Sequence, residues 1–169
     1  EASWPAGGLE PVLGDRRPHF LLIFLESFRG DLIGARLGRR ELTPFLNDLA
    51  ESGASSSRAY VNVPGTSASR AQLFTGRLVP RQSDGSLIDD FREQGYRVGY
   101  FSGQDDSWGG SEEILGVERA DVFYDARQDV ERRTSRSSSP VSLQVSWKRL
   151  NERVFAFLEA QDRKSTRLN

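Results

Sequence analysis

The chain has no cysteine, no methionine and a single histidine, His19, among its 169 residues. Without cysteine there can be no disulfide, no thiolate metal ligand and no thiol nucleophile, an absence that suits the cytosol and the periplasm equally. One imidazole cannot complete a mechanism that needs several. The lack of methionine leads us to expect that Glu1 lies inside a longer gene product. Long apolar runs are missing too: the longest, residues 20–25 (FLLIFL), falls far short of the about 20 residues a membrane helix needs. There is no excess of either charge, with 23 Lys+Arg against 24 Asp+Glu and a net charge of −1, so attraction to nucleic acid is not expected. What remains is 37% hydrophobic and 28% charged, the composition of an ordinary globular domain that buries roughly 70% of its unfolded surface.

Residues 1–18 are rich in Gly and Pro and read as a linker or lead-in, so the fold is expected over residues 19–163. Residues 20–25, apolar throughout and closed by Glu26, suit a central parallel strand covered on both faces. Thr43 followed by Pro44, Phe45, Leu46, Leu49 and Gly53 predicts a helix with a threonine N-cap, proline in its first turn and a glycine stop. Residues 57–63 (SRAYVNV) are β-prone and run into Pro64-Gly65, after which residues 66–74 have helical composition and stop near Gly76. Leu87, Ile88 and Phe91 mark another helix before Gly95. A strand follows over 96–102 and runs into a turn at 103–106. A short strand is expected at 121–124 and a polar, mobile loop at 128–140. A last helix within 145–160 carries Leu150, Val154, Phe155 and Leu158 on one face. The alternation predicts an α/β fold, a mostly parallel sheet with helices on both faces, whose ligands lie beyond the carboxyl ends of the strands. Glu26-Ser27, Gly65-Thr66-Ser67 and residues 103–106 occupy such positions.

Glu26 must be paired, exposed at a sheet edge or bound to a cation, because an unpaired buried carboxylate is too costly. It is either a salt-bridge partner of Arg29 or another arginine, or a metal ligand. Asp31 reads as a loop or cap residue. Thr66 stands at the expected start of a helix, where backbone N–H groups and the helix dipole favour phosphate, sulfate or an ionising alkoxide. A threonine hydroxyl is a weak nucleophile unless a base or a metal activates it, and Glu26 offers a way to hold that metal. Arg70, one turn on, could fork two donors onto an anion. The plainer alternative makes Thr66 a helix cap and Arg70 a surface residue. Gly65-Thr66-Ser67-Ala68-Ser69 fails the G-x-S-x-G nucleophile elbow because Ser69 stands where the second glycine is needed. Walker A, GxGxxG, HExxH and EF-hand patterns are absent. Residues 103–106 and Trp108 either line a substrate pocket or simply form a turn.

Three stretches in order, residues 19–34 (HFLLIFLESFRGDLIG), 42–53 (LTPFLNDLAESG) and 60–76 (YVNVPGTSASRAQLFTG), resemble the opening of the sulfatase-like branch of the alkaline phosphatase superfamily. Sulfatases carry C/S-x-P-S-R followed by Leu-Thr-Gly, and Thr66-Ser67-Ala68-Ser69-Arg70 with Phe74-Thr75-Gly76 fits that frame. Threonine at the nucleophile position, with Glu26 in LESFRGD, is more similar to lipoteichoic acid synthases and phosphoethanolamine transferases than to arylsulfatases, whose formylglycine cannot be made from Thr66. The likeness continues more weakly through 95–103, 123–127 and 145–157.

The resemblance implies Glu26 as metal ligand, Thr66 as metal ligand and nucleophile, and Arg70 as stabiliser of the nucleophile or of transition-state charge. It implies a divalent cofactor (Mn, Mg, Ca or Zn) and a phosphate- or sulfate-ester substrate, a lipid head group among the options. It also implies an extracytoplasmic or periplasmic setting, with membrane association through helices upstream of Glu1. The Asp-His pair with which the family completes its metal site does not follow Thr66 here. We therefore expect a partial alkaline-phosphatase-like sheet truncated at its C-terminus, inactive alone, with residues 164–169 (KSTRLN) a non-native tail. The alternative is a non-catalytic anion-binding or regulatory module on the same fold.

Overall fold

A computed structural model describes residues 18–81, 84–107, 110–132 and 144–165, which fall into two units, Glu1–Ser56 and Ser57–Asn169. The expected lead-in at 1–18 lies, but for Pro18, outside the described residues.

In the first unit a 3-10 turn, Gly30–Leu32, leads into a hairpin of β1 (Arg36–Leu37) and β2 (Arg40–Glu41). Helix α1 (Pro44–Ser52) follows. Pro44 opens α1 because the first turn of a helix has no use for its missing N–H. Gly53 closes the helix with its N–H on Leu49 O at 3.0 Å. Thr43 is the N-cap by position, yet its hydroxyl does not cap the helix: it donates to Leu32 O at 2.9 Å, tying the 3-10 turn to α1. Asn47 completes the tie, accepting from Gly34 N–H at 2.7 Å and donating to Glu41 Oε2 at 3.1 Å. This unit is held by polar bonds, for no residue of α1 is buried and Phe45 is 74% exposed.

The strand expected at 20–25 is not formed. These residues belong to neither ladder and are exposed, Leu21 at 67% and Ile23 at 64%. An all-apolar run becomes a central strand only where a neighbouring strand takes its backbone bonds and layers cover both faces. The described strands of this unit are the two-residue β1 and β2, which pair with each other.

The second unit contains α2 (Thr66–Thr75), α3 (Leu87–Glu93), β3 (Gly99–Phe101), α4 (Ser111–Leu115), β4 (Val122–Tyr124) and α5 (Trp147–Ser165). Gly76 ends α2 at φ +64°, the left-handed conformation that glycine enters without steric cost. Asp89, in the first turn of α3, accepts from Ser86 N–H at 2.7 Å and so satisfies a donor at the helix start.

β3 and β4 pair in parallel, Gly99 opposite Val122, Tyr100 opposite Phe123 and Phe101 opposite Tyr124. Side chains alternate across a strand, so each face of the pair receives its own layer. Tyr100 and Phe123 pack on a core of Phe74, Ile88, Leu115 and Val117, supplied by α2, α3, α4 and the 3-10 turn Val117–Arg119. Phe101 and Tyr124 pack with Ala126, Val145 and Leu150, and Phe101 meets Phe157 of α5 with ring centroids 5.6 Å apart. The unit is thus α/β, a small parallel sheet with helices on both faces, as expected for a sulfatase-like architecture.

Other expectations shift. Residues 57–63 are coil rather than strand, with Tyr60 87% and Val61 72% exposed: β-prone composition without a pairing neighbour does not make a strand. Part of the loop expected at 128–140 is the 3-10 segment Ala126–Arg132, and residues 133–140 lie outside the described set. α5 runs on through Ser165, beyond the end expected for it and into the presumed tail 164–169. Phe155, expected on its inner face, is 60% exposed, and Phe157 packs inward instead. Among the described residues no helix is long and apolar enough to cross a membrane.

Candidate functional site

Parallel pairing brings the carboxyl ends of β3 and β4 to one edge, and acidic residues follow both strands there: Asp105 and Asp106 after β3, Asp125 after β4. Asp106 is 1% exposed and Asp125 0%, so each needs compensating donors. For Asp106 these come from α2 and β3. Arg70 Nη1 donates to Asp106 Oδ1 at 2.9 Å and to Tyr100 Oη at 3.0 Å, while Tyr100 Oη donates to Asp106 Oδ2 at 2.8 Å. The three side chains close a ring in which each touches the other two. Burial first, and then the negative charge of Asp106, push the Tyr100 phenol far above its ordinary range. It stays protonated and remains a donor.

Asp125 carries a second cluster. It accepts from the Arg127 backbone N–H at 3.0 Å and from Arg127 Nε at 2.7 Å, and its Oδ2 takes the Asp106 N–H at 3.3 Å. Arg127 also reaches Asp105 at 3.5 Å and pairs with Glu112 of α4. The strand-end loop is anchored further by Val145 N–H on Gly103 O at 2.9 Å and Ala126 N–H on Gln104 O at 3.0 Å.

Thr66 is the first residue of α2 and Gly65 its N-cap, in extended conformation at φ −96°, ψ 132°. Ser69 N–H makes the first intrahelical bond, to Gly65 O at 2.9 Å, so the N–H groups ahead of it are directed out of the helix end. Ser69 Oγ donates back to Val63 O at 2.8 Å and fixes the chain entering the helix. Thr66 and Arg70 stand one turn apart on one face of α2, both half-buried.

Glu26 belongs to the first unit and is exposed. Its Oε1 accepts from Ser27 Oγ at 3.1 Å, and Ser27 has φ +54°, rare for a residue with a side chain. Asp31 lies in the 3-10 turn and takes a two-point contact from Arg29, at 3.0 and 2.5 Å. Trp108 lies outside the described residues.

The family model Sulfatase matches residues 18–167, nearly the whole chain. The chain belongs to the sulfatase family. No curated protein and no solved structure matches it. Sulfatases generally hydrolyse sulfate esters and use divalent metal ions, and this sulfatase chain shares their α/β architecture. The Glu26 carboxylate and the Thr66 hydroxyl are each oxygen donors of the kind such an ion accepts. Among the described residues no group of three or more His, Cys, Asp or Glu side chains is disposed to hold a metal.

The sequence pointed to Thr66 and Arg70 and to the strand end at 103–106. It did not single out Tyr100, Asp125, Arg127 or Glu112. The available signal was acidic residues in the turn after β3 and directly after β4, which is informative only once the strands are known to be parallel neighbours.

Proposed function

We propose that this protein acts on sulfate or phosphate esters through Thr66, with Arg70 stabilising the charge that develops at the transferred group. The observation that carries the reading is the position of Thr66 as the first residue of α2, with Arg70 one turn behind it, in a chain of the sulfatase family. In this reading Thr66 Oγ1 attacks the sulfur or phosphorus and the alcohol departs. The resulting ester on Thr66 is then passed to water or to another hydroxyl. Outward-directed N–H groups at the α2 terminus receive the anion's oxygens. We assign Glu26 and Thr66 each as a ligand for a divalent ion (Mn, Mg, Ca or Zn). Such an ion, when bound, would lower the pKa of the threonine hydroxyl.

Threonine at this position supports the branch of lipoteichoic acid synthases and phosphoethanolamine transferases. With that branch come a lipid head group as substrate, an extracytoplasmic site of action and membrane association through upstream helices. A second reading is an anion-binding module without chemistry, in which the same start of α2 holds an anion.

The test compares full-length protein with its Thr66→Ala and Glu26→Ala forms on aryl sulfate, aryl phosphate and phospholipid head-group substrates, with manganese and with zinc. Turnover that falls by about 10³-fold or more in Thr66→Ala supports the nucleophile, and the preferred ester identifies the substrate class. Metal-dependent turnover that survives Thr66→Ala rejects it. Absence of turnover with either metal, together with equal metal binding by native and Glu26→Ala proteins, favours the binding module.

A further inference from the structure

We propose that Tyr100 and Asp106 are positioning residues for Arg70, which set both the orientation and the net charge with which its guanidinium meets an anion at the start of α2. The inference rests on the reading of Thr66 and Arg70 given above and deepens it.

Both ring bonds of Arg70 leave from one nitrogen, Nη1, and they end on acceptors joined to each other, Tyr100 Oη and Asp106 Oδ1. A guanidinium is planar, so fixing two directions at one nitrogen fixes the plane of the whole group. The acceptors themselves cannot drift. Tyr100 is in β3 and packs against Phe74 and Phe123 at ring-centroid distances of 6.2 and 5.9 Å, and Asp106 is 1% exposed with its N–H on Asp125. Arg70 therefore loses its rotamer freedom when the protein folds rather than when an anion binds, which is preorganisation.

The ring has an opposing electrostatic effect. Asp106 balances the charge of Arg70 in a pair whose side chains are 13% and 1% exposed, so an anion meets a neutral ion pair and not a bare cation. Orientation is gained and attraction is reduced. A residue that serves only packing would not separate these two quantities, and the two partners of Arg70 do separate them. Tyr100→Phe removes an orienting group and leaves the charge. Asp106→Asn removes the charge and keeps a hydrogen-bonding side chain of the same size.

The experiment is an inorganic sulfate titration of the full chain, followed by 15N NMR of the arginine side chains, with Arg70→Lys supplying the assignment. We expect separate, slowly exchanging Nη resonances for Arg70 that move on sulfate addition. In Tyr100→Phe they should coalesce and sulfate affinity should fall by about threefold, as orientation is lost at constant charge. In Asp106→Asn the affinity should instead rise by about tenfold, as the balancing charge is removed. If Asp106→Asn does not fold, as judged by circular dichroism, the native and Tyr100→Phe titrations decide alone. The proposal is overturned if sulfate leaves the Arg70 resonances unmoved, if Tyr100→Phe leaves them slow, or if the two variants shift affinity in the same direction. Its failure is distinct from failure of the nucleophile reading, which is judged by turnover of Thr66→Ala and does not enter this titration.

Discussion

Phe157 of α5 packs directly on Gly99 of β3: its ring atoms Cε1 and Cζ lie 3.1 Å from the point a Cβ on Gly99 would occupy. The Phe101 ring would be 2.6 Å from the same point. A strand glycine normally weakens a sheet, and here it makes room for a helix. Gly99→Ala should therefore destabilise the second unit by about 1–3 kcal/mol through overpacking, read as a lower urea midpoint. An unchanged midpoint would mean that α5 moves off the sheet at no cost.

Asp129 ties the 3-10 segment after β4 to α5. It accepts from Arg149 Nε at 2.6 Å, from Tyr124 Oη at 2.9 Å and from Arg153 Nη2 at 3.2 Å. The Arg149 guanidinium, more than its other partners, holds this carboxyl well below the usual carboxylate range. In the unfolded chain the same group takes up its proton near pH 4, so across the acid range below that value the unfolded state binds more protons. The stabilisation is complete above about pH 4 and is lost progressively as the pH falls towards the folded-state pKa. Thermal melts between about pH 2 and pH 5 should show this loss, and Asp129→Asn should flatten the slope. An equally steep slope in the variant would assign it to other carboxylates.

Removing one member of a buried ion pair leaves the other uncompensated. Asp106→Ala should cost about 3–5 kcal/mol of stability, because it strands the half-buried Arg70 and removes an acceptor from Tyr100. Asp31→Ala serves as the control, since its pair with Arg29 has side chains 62% and 74% exposed, is screened by solvent, and its loss should cost far less than that of Asp106. Equal losses in the two variants would show that burial does not set the strength of these pairs.

The local grammar of the chain was legible. Pro44 and Gly53 bracket α1, Gly65 and Gly76 bracket α2, and Gly95 follows α3, each acting through its own backbone preference within one turn of the helix end. The spacing that puts Thr66 and Arg70 on one face of α2 is likewise a property of helix geometry. Strands were less legible. Residues 20–25 and 57–63 have the composition of strands and are coil, whereas three-residue strands at Gly99–Phe101 and Val122–Tyr124 form because they have each other.

By itself the sequence determined helices α1, α2 and α3 and most of α5, the sulfatase family signature and the helix-start position of Thr66, since all of these depend on residues within a few positions of one another; the short α4 at Ser111–Leu115 carried no such local signal. Only the tertiary structure decided that Arg70 would meet Asp106 and Tyr100, that Asp125 would lie beside Asp106, and that Phe157 rather than Phe155 would face the sheet. These contacts join residues far apart in the chain, and they exist because β3 and β4 pair in parallel and bring two strand ends to the same edge. Which strands pair depends on hydrogen bonds and burial shared between distant segments, and no local pattern encodes that.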